Sequence, residues 1–596
     1  MCGIVGYVGE KEVVPVLLAG LKTLEYRGYD SSGIAVHNGS SLSVVKRAGR
    51  IANLESALKE RRVSGHCGIG HTRWATHGVA TDLNAHPFVS TYGKFAVVHN
   101  GILTNYLSVA AFLRERGVSL SSDTDSEVVA HLIDYFFTGD VLAALRRAVR
   151  EIKGSFALGV ISVYEPNVLY GVRKDSPLIL GKGETGYAIC SDVSGLSDLC
   201  KVCRPLENGE IVRVSQERTR LWDFDGEEKE VRFPYEVPAA SGEAEGEDRM
   251  LAEIRETPAA LQEGCEHFPK REIDQLLRKD FDEIVILGCG SAYHAGLIFK
   301  AAMREIAGKQ VREEIASEFL TERGGMKEGD LVIAISQSGE TADTLLAVSK
   351  AKRLGATVLS ICNVRASSLV RLSDFSLITR CGRECAVAAT KSYSAQVHAL
   401  LMICLEYAEI RGDVKGEDLA TYRLELEKIP EKIERVLAEE DRIARIAHEA
   451  KDAEAVFFLG RGGDYFAARE GSLKLKEISY LFSEAYPSGE LKHGTLALME
   501  KGVYGVAVAT DPKLAEKNAS TVAEITCRGA TAVVIAPESL VGEIPAERFI
   551  PIPDVSPLLS PLLTAAAMQL FAYFVAKERG CDVDRPRNLA KSVTVE

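Results

Sequence analysis

The sequence predicts a multidomain α/β protein, and three observations lead there. The chain has 596 residues, enough for three or four domains. A strand-patterned first third gives way at Ala239–Glu247 to a small, acidic, glycine-bearing stretch that reads as a linker. The remainder carries the same pattern twice, at residues 284–295 and 455–467: a continuous apolar strand, then Gly-x-Gly, then a tyrosine entering a helix.

Composition narrows the function classes. With 46% hydrophobic and 26% charged residues the chain is globular. A net charge of −13 with no lysine- or arginine-rich run argues against nucleic acid as a partner. No basic region followed by an apolar run opens the chain, so no signal peptide is expected. The longest apolar stretch, 558–575, contains Ser560, Pro561, Thr564 and Gln569, so a packed helix is expected there and no membrane span. Thirteen cysteines without framework spacing suggest reduced thiols and a cytoplasmic location. Cys200-x-x-Cys203 has no second pair nearby and reads as ordinary packing rather than a zinc or redox site.

Taken in order, the chain opens with Met1-Cys2-Gly3. Removal of Met1 would put a free α-amine and a thiol on Cys2, with reference pKa values of about 7.7–8.0 and about 8.5, so one is able to act as base for the other. The plainer alternative is a small buried cysteine. Ile4-Val5 and Tyr7-Val8 read as a buried strand, Val13–Glu25 as a helix, and Ile34–His37 and Leu42–Lys46 as strands. Gly68–Gly78 reads as a short strand ending in a loop that holds Arg73, Trp74, two hydroxyls and two histidines. The fork of Arg73 suits a substrate carboxylate; a surface ion pair is the alternative. Phe95–His99 is a strand that ends in Asn100-Gly101, where a side-chain amide and a backbone N–H can face one oxyanion, or simply make a hairpin turn. Ser122–Glu127 reads as a capped helix start whose carboxylates either bind an ammonium or only cap.

These pieces suit an α-amino acid with a side-chain amide, and here a resemblance becomes specific. MCGIVGY, YRGYDSSG, HTRWATHG, HNGI and SDTDSE follow one another as in the glutaminase domain of the N-terminal-nucleophile amidotransferases. The resemblance implies, for residues 1–238, two antiparallel sheets sandwiched between helices. It implies Cys2 as nucleophile, Asn100 and Gly101 as oxyanion hole, and Arg73 and Asp125 as clamps on the glutamine backbone groups. Thr76 and His77 would belong to the same glutamine loop, and Trp74 resembles the residue that gates ammonia passage.

Beyond the linker at 239–247, two subdomains are expected at 248–430 and 431–581, with a tail at 582–596. Neither Gly-x-Gly copy continues as a dinucleotide fingerprint, and no P-loop lysine is present. In the first copy the strand Leu331–Ile335 leads into Ser336-Gln337-Ser338-Gly339-Glu340-Thr341 and a helix, a phosphate cradle or ordinary capping. Glu340 would repel phosphate if it pointed inward. This segment resembles the sugar-isomerase (SIS) fold, a flavodoxin-like parallel sheet that binds phosphosugars. That implies phosphate contacts from Ser336, Gln337, Ser338 and Thr341. Ser291 stands where threonine is usual; Ala292 replaces a usual serine, and Ala389 stands in a usual Ala-Ser-Thr-Lys.

In the second copy Glu470, Lys474 and Glu477 share one helical face, and His493 lies between glycines. A carboxylate and a histidine suit ring opening and a proton shift beside a carbonyl; a solvated salt-bridged face is the alternative. The ending DVDRPRNLAKSVTVE resembles the C-terminus of the isomerising glutamine–fructose-6-phosphate aminotransferase family. The resemblance implies Lys591 as a Schiff-base lysine, Glu477 for proton transfer between C1 and C2, and His493 for ring opening. It implies L-glutamine and fructose 6-phosphate as substrates, glucosamine 6-phosphate and glutamate as products at the entry to amino-sugar synthesis, no cofactor and no metal, and a homodimer through the isomerase half. An amidophosphoribosyltransferase-type enzyme would share the first half but lack the duplicated unit. A phosphosugar-sensing module without turnover would have no use for Cys2, Arg73, Asn100 and Asp125 beside Glu477 and Lys591.

Overall fold

The computed structural model describes residues 2–74, 78–237, 248–321, 325–412 and 416–594. The linker at 239–247 lies outside the described residues. The chain divides into two compact units, Met1–Glu243 with Ser592–Glu596, and Ala244–Lys591.

The first unit is built on two antiparallel sheets of eight and seven strands. The strand Gly3–Gly9 sits between Cys67–Arg73 and Gly186–Cys190, so the residue after Cys2 is fixed inside a sheet. Its side chains alternate as a strand requires. Val5 and Tyr7 pack on Val13, Leu17 and Leu21 of the helix Val13–Leu24, whereas Ile4 and Val8 meet Val98, Ala157 and Ile161 of the other sheet. The far face of that second sheet, with Val97, Phe156 and Leu158, is covered by Val128, Leu132 and Leu145 from the helices Glu127–Phe136 and Val141–Glu151. The layers run helix, sheet, sheet, helix, as expected. Cys200 and Cys203 are buried among the residues that pack the first helix.

One local expectation is corrected. The strand that was to end at Asn100-Gly101 continues to Leu103, with Asn100 opposite Ala157 and Gly101 opposite Phe156. No hairpin forms there. Glycine is needed because the partner strand comes close: φ at Gly101 is +133°, and a Cβ would stand 2.0 Å from the Ser155 carbonyl oxygen.

The second unit holds two five-stranded parallel sheets with the same strand order. In the first, Ile284–Gly288 lies between Arg312–Ile315 and Leu331–Ser336, followed by Thr357–Cys362 and Phe375–Ile378. In the second, Ala455–Gly460 lies between Ser483–Pro487 and Val503–Val508, followed by Thr531–Pro537 and Arg548–Ile552. This is the flavodoxin-like order 2-1-3-4-5, which leaves a ligand crevice at the carboxyl ends of the central strands. The duplication reaches the backbone: Gly290 (φ 55°, ψ −128°) and Gly462 (φ 58°, ψ −125°) open their helices in the same conformation, one that favours glycine.

The two copies share one hydrophobic core, crossed by the helices Lys391–Arg411 and Ser560–Glu578. Both are apolar around most of their circumference and buried accordingly. The stretch 558–575 thus becomes a packed helix, and among the described residues no helix is long and apolar enough to cross a membrane. The segment before Lys591 is pinned rather than frayed: Asp584 accepts the Arg249 and Met250 N–H groups at 3.0 and 2.8 Å, and the Arg587 N–H donates to the Tyr480 hydroxyl at 2.7 Å.

Candidate active site

In the first unit the end of the strand Cys67–Arg73 delivers the Trp74 N–H to the Cys2 sulfur at 3.3 Å. Burial pushes the Cys2 thiol up, opposed by the Trp74 N–H and the guanidiniums of Arg73 and Arg27. Arg27 is buried and holds Asp192 at 2.7 Å and the Ser191 carbonyl at 3.2 Å, and the Ser191 hydroxyl accepts the Ile4 N–H at 2.9 Å. Arg73 is also buried. It donates to the Gly78 carbonyl at 3.1 Å and lies within electrostatic reach of Cys2, Asp30 and Asp125. Trp74 stacks edge-on against Tyr29, centroids 5.5 Å apart. Thr76 and His77 lie outside the described residues.

Asn100 faces Cys2: its amide nitrogen donates to the Cys2 carbonyl at 3.0 Å. An amide nitrogen carries two hydrogens, so one N–H remains for an oxyanion. Behind it, His71 Nε2 stands 3.0 Å from both Asn100 Oδ1 and the His99 carbonyl. The His71 ring stacks on His86 at 4.0 Å, and His86 Nδ1 accepts the His99 N–H at 3.2 Å. Asp125 accepts the Leu103 N–H at 2.8 Å and the Ser126 hydroxyl at 3.1 Å. Ser126 in turn accepts from His99 Nδ1 at 2.7 Å. The aspartate is therefore aimed by hydrogen bonds and not by helix capping. Its neighbour Glu127 does reach back, taking the Ser121 and Ser122 N–H groups at 2.8 and 2.7 Å.

In the second unit the loop Ser336–Thr341 is tied together by its own hydroxyls. The Ser336 hydroxyl meets the Thr341 hydroxyl at 3.0 Å and accepts the Gly339 N–H at 3.0 Å, and the Ser338 hydroxyl accepts the Glu340 N–H at 3.2 Å. Thr341 does not cap the helix Ala342–Arg353 with its side chain. Glu340 turns away from the cradle and accepts the Ser368 N–H at 2.7 Å, which removes the repulsion an inward carboxylate would cause. The corresponding seat of the second copy is filled from within. Asp464, in the first turn of the helix Gly463–Ser479, accepts the Thr510 N–H at 2.9 Å and the Thr510 hydroxyl at 2.5 Å. Burial pushes that carboxyl up to about 7.

Glu470, Lys474 and Glu477 lie on that same helix. Lys474 pairs with Glu477 at 2.6 Å and Glu470 at 3.4 Å. Ser291 and His294, from the first copy, reach across: the Ser291 hydroxyl donates to Glu470 at 2.8 Å and accepts from Lys474 at 3.1 Å, and His294 Nδ1 meets Glu470 at 2.8 Å. Ser291 thus joins the lysine–carboxylate cluster of that helix rather than the Ser336–Thr341 loop. Lys591 is ion-paired to the fully buried Glu384. Glu384 also accepts the Thr390 N–H and hydroxyl and the Ser392 N–H and hydroxyl, at 2.6–3.1 Å. Burial alone would raise the Glu384 carboxyl; Lys591 and Ser392 overcome this and hold it at about 2. His493 is exposed on the turn Ser488–His493 and makes no bond to Glu470, Lys474 or Glu477 within the described residues. Residue patterns counted His71 only as one of two histidines of the Gly68–Gly78 loop, with no role of its own, and did not single out His86, His99, Ser126, Arg27, His294 or Glu384.

Comparison with known proteins covers both units. A family model described as glutamine amidotransferase domain matches residues 71–198, and one described as SIS domain matches residues 277–405 and 450–541. The chain is 43% identical to a glutamine–fructose-6-phosphate aminotransferase [isomerizing] of Clostridium tetani and 42% identical to one of Aquifex aeolicus, with 100% of both chains covered each time. The solved C-terminal domain of glucosamine-fructose-6-phosphate aminotransferase from Francisella tularensis matches 58% of this chain and 100% of its own, at 35% identity and a TM-score of 0.56.

Proposed function

The chain belongs to the family of isomerizing glutamine–fructose-6-phosphate aminotransferases, and on that footing we propose that it transfers ammonia from L-glutamine to fructose 6-phosphate, releasing glutamate and glucosamine 6-phosphate. One observation carries the reading: a thiol flanked by an asparagine amide and a buried guanidinium is encoded in the same chain as a hydroxyl cradle and a buried lysine–carboxylate cluster.

In the first unit the Cys2 sulfur attacks the glutamine amide carbon. The developing oxyanion takes the second Asn100 N–H and the Gly101 N–H. The α-amine of Cys2, freed by loss of Met1, accepts the thiol proton and passes it to the leaving ammonia. Water then hydrolyses the thioester to glutamate. Arg73 and Asp125 hold the substrate carboxylate and ammonium, and Thr76 and His77 complete the glutamine loop. Trp74 gates the departure of ammonia, a role supported by its backbone N–H lying 3.3 Å from the sulfur.

In the second unit Ser336, Gln337, Ser338 and Thr341 hold the phosphate. His493, lent by a second copy of the chain in a homodimer, opens the sugar ring. Lys591 condenses with the C2 carbonyl and expels water; ammonia then displaces the lysine. Glu477 moves a proton from C1 to C2 to give the amino aldose. Housing both steps in one chain keeps ammonia from being protonated and diluted in bulk water.

The test is to incubate the protein with amide-15N-glutamine, fructose 6-phosphate and excess unlabelled ammonium. Glutamate and 15N-glucosamine 6-phosphate are expected in equal amounts. Glutamate without amino sugar, or amino sugar carrying unlabelled nitrogen, would overturn the coupled reaction. Borohydride should trap the sugar on Lys591, and trapping that persists in Lys591→Ala would remove that assignment. Mass spectrometry should find Cys2 at the mature terminus.

A further inference from the structure

We infer that His71 is the positioning residue of the glutaminase centre, holding the Asn100 carboxamide with its nitrogen, not its oxygen, turned toward Cys2 and the bond being broken. This rests on the reading of Cys2 and Asn100 as nucleophile and oxyanion donor.

A carboxamide presents nearly the same shape in its two orientations, so hydrogen bonds decide between them. One end of Asn100 meets the Cys2 carbonyl oxygen, an acceptor, at 3.0 Å; the other meets His71 Nε2 at 3.0 Å. His71 Nε2 faces a second acceptor as well, the His99 carbonyl at 3.0 Å. The ring nitrogen between them must therefore be the N–H. His71 Nδ1 is buried and has no hydrogen-bond partner among the described residues, as suits a bare lone pair and not a second N–H. Burial also pushes the ring down to about 3, so it stays neutral. With Nε2–H fixed, Asn100 Oδ1 is drawn to His71 and its amide hydrogens are left for Cys2 and the oxyanion. The reversed amide would set oxygen against the Cys2 carbonyl and N–H against N–H.

The ring itself is held in place. His71 lies opposite Ile4 and Gly33 in the first sheet and spans to Asn100 in the second, with His86 stacked on it. The next links point the same way. Ser126 gives its one hydrogen to Asp125, so His99 Nδ1 must donate to Ser126. The two substrate-facing groups, Asn100 and Asp125, are thus set from behind by one fixed run of donors.

The experiment is steady-state glutamine hydrolysis by the full chain with fructose 6-phosphate present. His71→Phe keeps a ring but loses the donor, and kcat should fall on the order of 10²-fold with the glutamine KM unchanged. His71→Gln, which restores an N–H, should recover most of the loss. In an Asn100→Ala background His71→Phe should cost nothing further, because its effect runs through Asn100. The same loss in both backgrounds, or a loss confined to KM, overturns the proposal. Should His71→Phe fail to fold, 15N imidazole spectra of the unaltered protein decide: a neutral ring protonated at Nε2 is expected, and a proton on Nδ1 overturns it. If the unaltered protein and Cys2→Ala release glutamate at the same rate, the underlying glutaminase reading fails instead.

Discussion

Glu384→Gln offers a sharp test of how Lys591 is held. The two carboxylate oxygens divide their partners: Oε1 accepts the Thr390 N–H, the Thr390 hydroxyl and the Ser392 N–H, while Oε2 accepts the Ser392 hydroxyl and Lys591. A glutamine can keep the first three bonds with its carbonyl. Its NH2 then faces the Lys591 ammonium, donor against donor, and the counter-charge is gone. Both side chains are nearly sealed, 5% exposed for Lys591 and 0% for Glu384. Removing one partner of such a pair costs about 3–5 kcal/mol because the other charge is left uncompensated. Lys591→Met strands the carboxylate and should cost a similar amount. The double variant leaves no unpaired charge, so the coupling between the two changes should reach at least about 2 kcal/mol. Urea unfolding can isolate the second unit, since both tryptophans, Trp74 and Trp222, lie in the first. A transition present in far-ultraviolet circular dichroism and absent from tryptophan fluorescence reports the second unit. Single costs that simply add in the double variant, within about 0.5 kcal/mol, would refute the reasoning.

Further outcomes follow from the same geometry. Cys2→Ala should abolish glutamine hydrolysis, by more than about 10³-fold, while sugar-phosphate isomerisation persists; loss of both in folded protein would contradict separate centres. Arg73→Lys keeps the charge but loses the planar fork, so the glutamine KM should rise at least about tenfold, and an unchanged KM would remove Arg73 from the carboxylate clamp. Asp464 has its folded pKa raised to about 7, above the unfolded value of about 3.9, so the folded form holds its proton more tightly. Stability contributed by that proton is complete below about pH 4 and is lost as pH rises through 7, by up to about 4 kcal/mol. Asp464→Asn should flatten that slope in melting curves of the second unit, and an unchanged slope would assign the pH dependence elsewhere.

What the sequence disclosed was local. Contiguous runs such as Gly3–Gly9 and Leu331–Ser336 carry their pattern within one strand, so the elements around Cys2 and the loop Ser336–Thr341 were legible from pattern and residue type. The duplicated strand-glycine-helix pattern likewise revealed two parallel sheets, because each copy is one unbroken stretch. What was missed depends on pairing between distant strands and helices. Asn100-Gly101 resembles a hairpin signal, and only the close approach of Ser155 shows why a glycine sits inside a continuing strand. Glu384 meets Lys591 across 207 positions, and no periodicity connects them. His71 was within reach. The alternate residues Cys67, Ile69, His71 and Arg73 share one face of their strand, and Cys67 and Ile69 are buried between the sheets. A histidine in that inward row, two places before a buried arginine that lies near Cys2, is poorly explained by packing alone.

The buried cluster of Glu470, Lys474 and Glu477 shows why the second unit needs both copies. Glu470 and Lys474 each have 1% of their side chains exposed, and charges so deeply buried must be matched by donors and counter-charges. The helix Gly463–Ser479 supplies two carboxylates and one ammonium, a local excess of negative charge. The remaining donors to Glu470, the Ser291 hydroxyl and His294 Nδ1, come from the helix Ser291–Ile306 of the first copy. Neither copy alone satisfies the cluster. Burial alone would lower the Lys474 ammonium, but Glu470 and Glu477 together hold it above the ordinary lysine range. It is therefore a fixed cation and a poor base. Glu470 is saturated by three partners, whereas among the described residues Glu477 pairs with Lys474 alone and keeps 20% of its side chain exposed. A proton moving between adjacent carbons of a bound sugar needs a carboxylate that is both held and reachable, and of the three groups on this face Glu477 alone meets both conditions.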